Sequence, residues 1–91
     1  MGNTKKELAS AALSDIENYY WAGFKLPPER CLPFLLSFFQ HMEQLSLYLG
    51  KPYARRLQPH LAQAMQAMEK KDNVLLRDVL WYDLMPLLKK L

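Results

Sequence analysis

The sequence predicts an all-α protein: an antiparallel up-and-down four-helix bundle with short loops, in a single helical domain spanning residues 1–91. Apolar residues recur at helical spacing along nearly the whole chain, and no stretch alternates as a half-buried strand would. Breaks in that pattern fall near Gly23, Gly50 and Lys70 only, which leaves four segments. The 91 residues are 51% hydrophobic and 23% charged, enough to cover one core and too few to build a second.

The first helix is expected over about residues 4–23. Thr4-Lys5-Lys6-Glu7 has capping-box spacing, and Leu8, Ala9, Ala12, Leu13, Ile16, Tyr19, Tyr20 and Gly23 then fall on one arc. Trp21 lands on the opposite, polar side. Pro27-Pro28 stops this helix and creates the longest loop. The second helix, about 30–49, carries Cys31, Leu32, Phe34, Leu35, Phe38, Phe39, Met42, Leu45 and Leu49 on one face, with Ser37, Gln40 and Gln44 outside.

Gly50 reads as a left-handed cap and Pro52 as a first-turn proline, so the third helix, about 52–70, follows with almost no loop. Its stripe is Tyr53, Leu57, Leu61, Ala64, Met65 and Met68, with Pro59 on the wet side as a kink. Asp72 should cap the fourth helix, about 73–90. That helix is apolar nearly all round: Leu76, Leu80, Leu84, Leu87 and Leu91 form one stripe, Leu75, Val79 and Tyr82 a second, and Val74, Trp81, Met85 and Leu88 a third. Pro86 should end or kink it at Met85.

Composition excludes several classes. One cysteine cannot form an intrachain disulfide, and no Cys/His spacing suits zinc, so packing alone must stabilise the fold in a reducing compartment. The segment behind the basic start is broken by serines and an aspartate and does not read as a signal sequence. No apolar run approaches the roughly 18 residues needed to span a bilayer. A cytoplasmic protein with no membrane partner is expected.

The formal charge of +3 is concentrated on residues 51–71. Lys51, Arg55 and Arg56 there could face phosphates, since each neutralised phosphate releases counterions. The first turns of the following helix, Val74 to Leu80, offer Arg77 as their sole cation, whereas groove readers need Arg, Asn, Gln or Lys at several positions. A nucleic-acid-associated accessory role therefore ranks second to protein interaction.

No catalytic, cofactor-binding or metal-binding residue is expected, and no cofactor. His41 and His60 lack partner spacing and read as boundary residues. Cys31 and His41 lie about 15 Å apart along one helix, beyond hydrogen-bond reach, so Cys31 reads as a core thiol. Asp78 and Asp83 point about 140° apart and cannot pair as acid and base. Asp83 falls between leucine stripes and requires a cation or hydroxyl partner.

A bundle helix hides one broad arc, so one stripe of the fourth helix is left over. Trp81, Met85 and Leu88, extended by Trp21, are the expected interface, and a homodimer is the simplest way to cover it. The closing residues Asp72-Asn73-Val74-Leu75-Leu76-Arg77-Asp78-Val79-Leu80-Trp81-Tyr82-Asp83-Leu84-Met85-Pro86-Leu87-Leu88 resemble the ends of small uncharacterised all-helical proteins of Gram-positive bacteria. That resemblance implies a bacterial cytoplasmic origin and transfers no site. The function these readings support is a non-enzymatic protein-interaction module that self-associates.

Overall fold

The computed structural model describes residues 4–91. It is all-α, with no strand among those residues. Helices α1 (Thr4–Ala22), α2 (Pro28–Leu49) and α3 (Lys51–Glu69) precede α4 (Asn73–Asp78), a π-helical segment (Val79–Leu84) and α5 (Met85–Lys89). The junctions at Val79 and Met85 keep helical dihedrals, so α4, the π-helical segment and α5 form one continuous closing helix.

Each connection follows from its residues. Thr4 is the first helical residue of α1 rather than its cap, and the residue that would cap it lies outside the described residues. After α1 the chain turns through residues 23–27, where Gly23, Lys25 and Leu26 amides still bond back to Tyr19 and Ala22. Pro28 then holds Pro27 extended, at φ −66° and ψ 158°, and α2 starts at Pro28 itself, two residues earlier than its apolar pattern.

Gly50 alone joins α2 to α3, with φ 87° and ψ 179°. That region is open to glycine and strained for any other residue, although a Cβ there would meet nothing within 4 Å. At the end of α3 the Lys71 amide bonds to Met68 and the Asp72 amide to Ala67. This is a Schellman closure with Lys71 in the left-handed conformation at φ 58°. Asp72 then caps α4, accepting from the Leu75 amide at 3.1 Å, as its position predicts.

The core draws Ala9, Ala12, Ile16 and Tyr19 from α1, Cys31, Leu35, Phe38, Met42 and Leu45 from α2, and Leu57, Ala64 and Ala67 from α3. In α3 the dry side therefore runs through Ala67, while Met65, expected on the stripe, is 48% exposed. Pro59 sits inside an uninterrupted α3.

The closing helix supplies Leu76, Val79, Leu80, Leu84, Met85 and Leu88. At about 100° per residue, Leu76, Leu80, Leu84 and Leu88 would drift over about 120° of an α-helix. A π-helix advances roughly 82° per residue, so the segment Val79–Leu84 brings the four leucines back to nearly one line. Pro86 explains why the wide turn lies there. It has no amide, and its ring presses on the carbonyl four residues back, a clash relieved by the wider i to i−5 geometry in which the Met85 amide bonds to Leu80.

Candidate functional site

Polar chemistry inside the protein concentrates between α1 and α2. Asp15 is the one buried polar or charged residue among the described residues, at 8% exposure. Its carboxylate accepts from Ser37 Oγ at 3.1 and 3.0 Å, and His41 Nδ1 lies 2.6 Å from Oδ2. Ser37 and His41 are one turn apart on α2, so both reach the same carboxylate across the helix interface. The order is serine, carboxylate, imidazole. The imidazole therefore addresses the carboxylate and not the hydroxyl, unlike a relay in which histidine takes the serine proton.

The sequence reading placed Ser37 on the wet side and His41 at a boundary, and left Asp15 unassigned. The available signal was the position of Asp15 at the edge of the apolar arc of α1, where a carboxylate turned inward needs donors. The same rule was applied to Asp83, which the structure leaves half-buried and without a hydrogen bond or ion pair to the described residues.

Cys31 is buried, and its thiol lies 3.8 Å from the Leu26 carbonyl as a weak donor. Beside it, burial raises the pKa of Tyr19 above its ordinary value, Cys31 adds to that rise, and Arg77 opposes it. A tyrosine whose folded-state value is raised favours the folded protein while neutral. That contribution is complete below pH 10, the unfolded value, and is lost as pH climbs through the folded value. Stability should therefore fall above pH 10, and Tyr19→Phe should flatten this limb in urea titrations. An unchanged limb in the variant would assign it to other tyrosines.

The expected interface residues part company. Met85 and Leu88 are 4% and 1% exposed, inside the core. The stripe they were to form with Trp81 is thus corrected: the π-helical segment turns Met85 and Leu88 inward, and their apolar surface is already covered within one chain. Trp81 is half-buried and Trp21 is 59% exposed.

The two tryptophans nevertheless belong to one aromatic surface. Tyr20 stacks on Trp81 at 4.2 Å between centroids and 28° between planes. It also meets Trp21 and Phe24 edge-on at 5.3 and 5.4 Å. Arg77 lies over the Phe24 ring at 5.5 Å, and Phe24 and Val74 are 63% and 65% exposed. Sequence periodicity missed Phe24 because it lies beyond the helical pattern, in the turn after α1.

Lys51, Arg55 and Arg56 are all exposed, at the start of α3. There Tyr53 Oη donates to the Leu87 carbonyl at 3.1 Å. Among the described residues no group of three or more metal-ligating side chains comes together, and no helix is long and apolar enough to cross a membrane.

Fold and surface together define a small all-α protein with a polar bridge inside and an aromatic patch outside. Residues 29–91 match the family described as Domain of unknown function (DUF8042), and the chain belongs to that family. The match takes in α2, α3 and the closing helix, whereas Asp15, Tyr20, Trp21 and Phe24 precede it. No curated protein and no solved structure matches.

Proposed function

We propose that the protein is a non-enzymatic interaction module that self-associates through its aromatic surface, on an antiparallel up-and-down bundle in the cytoplasm. The bundle reading is supported by three contacts: Asp15 of α1 with Ser37 and His41 of α2, Tyr20 with Trp81, and Tyr53 with Leu87. The last joins the start of α3 to the end of the closing helix, as oppositely running neighbours would.

The observation that carries the function is the continuous cluster of Tyr20, Trp21, Phe24 and Trp81, with two large rings more than half exposed and Arg77 against one of them. Exposed aromatics beside arginine are the composition of interface hot spots. A second copy is the occupant we favour, because a twofold pairing covers the same patch on both chains at once. Trp81 remains in the expected interface, Trp21 gains weight, and Phe24 joins them.

Light scattering with circular dichroism at rising concentration tests this. The parent should dimerise, and Trp21→Glu should be folded and monomeric. A parent that stays monomeric at high concentration would sink the reading. Salt-sensitive DNA binding by the parent, lost in the Arg55→Gln/Arg56→Gln double variant, would favour the nucleic-acid role of the Lys51, Arg55 and Arg56 patch instead.

A further inference from the structure

A cleft opens where the end of α1, the start of α2, the end of α3 and the start of α4 converge. It has a volume of about 330 Å³, with Leu32, Leu35, Met68 and Leu76 as its apolar lining and Glu29 and Lys71 among its polar groups. A smaller recess of about 50 Å³, reached by Cys31 and Arg77, shares Tyr19, Pro28 and Asn73 with it. The two spaces therefore adjoin at those three residues, which form the neck of the apolar cleft.

Tyr19 marks that neck. It is 94% buried by its 6% exposure, it lines both spaces, and its hydroxyl has no hydrogen-bond partner among the described residues. No side-chain polar atom in the described structure is both fully enclosed and unpartnered, so this hydroxyl keeps some accessible surface. A phenolic hydroxyl is neutral and a donor at physiological pH. Asn73 and Arg77 supply further donors at the same neck. The charged groups facing the space are Lys71 and Arg77 against Glu29, an excess of one positive charge.

We propose that this cleft is a binding site for a small monocarboxylate with an apolar body, its chain lying on Leu32, Met68 and Leu76 and its carboxylate accepting from Tyr19, Asn73 and Arg77. The volume is at the small end of ligand pockets, and the pattern of an apolar wall with a few convergent polar groups is the one such pockets share. A dicarboxylate or a sugar would leave polar groups against leucine and methionine, which costs affinity. The site is separate from the aromatic surface, although Arg77 touches both.

Titrating isotope-labelled protein with sodium octanoate below its micellar range, followed by NMR, tests the proposal. Saturable shifts should be confined to residues around Tyr19, Leu32, Met68, Asn73 and Leu76. Tyr19→Phe should weaken octanoate by about tenfold, the worth of one hydrogen bond to a charged group, while keeping its melting temperature. Octan-1-ol should bind more weakly than octanoate to the parent, and Leu32→Trp should block both. No saturable shift, shifts centred on Trp21 and Phe24, or equal affinity of parent and Tyr19→Phe would each overturn it. Because the titration reads a local site at fixed protein concentration, its failure leaves the self-association test untouched.

Discussion

Asp15→Ala should lower the unfolding free energy by about 3 kcal/mol, since hydrogen bonds to a charged group are typically worth about 1.5–3 kcal/mol each. The carboxylate is shared by Ser37 and His41, both on α2, while Asp15 sits on α1. Its removal breaks every side-chain hydrogen bond between α1 and α2 among the described residues, and leaves a void beside Ser37 and His41. Ser37→Ala alone should cost about 1 kcal/mol, because His41 still holds the carboxylate.

The informative quantity is the coupling between Asp15 and His41. In a double-mutant cycle of Asp15→Ala with His41→Ala, the two losses should fall short of adding by at least about 1 kcal/mol, as expected for residues in direct contact. Chemical unfolding followed by circular dichroism supplies the four stabilities. Strict additivity would show that the 2.6 Å contact contributes nothing, and that Asp15 acts through Ser37 alone.

How far the sequence disclosed this architecture depends on what kind of signal each residue gave. Asp72 and Gly50 were legible because a cap and a positive dihedral are local requirements, satisfied within a few residues of the signal. The buried faces of α1 and α2 were legible for the same reason, as were the breaks at Pro27-Pro28 and Gly50. Ser37 and His41 were not, since on α2 alone they look like edge residues. What makes them interior is Asp15, on another helix. The aromatic surface was half visible: Trp21 stood out on a polar face, but its link to Trp81 runs through Tyr20, which periodicity assigned to the core arc.

Met85 and Leu88 were misplaced for a different reason. A helical wheel assumes a constant turn per residue, and the closing helix breaks that assumption between Val79 and Leu84. Leucines spaced by exactly four residues, at Leu76, Leu80, Leu84 and Leu88, were a sign of it, because four-residue spacing sustained over three steps fits a wider helix than the α-form. Pro86 was the second sign. It was read as an end or a kink at Met85, and the helix instead continues through it with a wide turn just before.

The largest expected loss comes from disturbing that phase. Inserting one alanine between Asp78 and Val79 rotates everything after it by about 100° relative to Leu76, turning Leu84, Met85 and Leu88 away from α1 and α3. Each fully buried side chain of this kind contributes about 1.5–3 kcal/mol, so the sum rivals the whole stability of a domain, about 5–15 kcal/mol. The insertion variant should be unfolded or molten. Deleting Tyr82, which is 69% exposed, should act in the opposite sense. The buried residues Leu76, Val79, Leu80, Leu84, Met85 and Leu88 then fall at the spacing of an ordinary amphipathic α-helix, three and four residues apart. The obstacle is Pro86, whose ring clashes in a regular helix interior at a cost of about 3 kcal/mol. Deletion alone should therefore destabilise by about that amount, and Pro86→Ala in the same chain should restore most of it. Thermal and urea unfolding of the three variants decide the matter: a deletion as stable as the parent without Pro86→Ala would show that the proline does not impose the wide turn, and a folded insertion variant would show that helical phase is not what buries Met85 and Leu88.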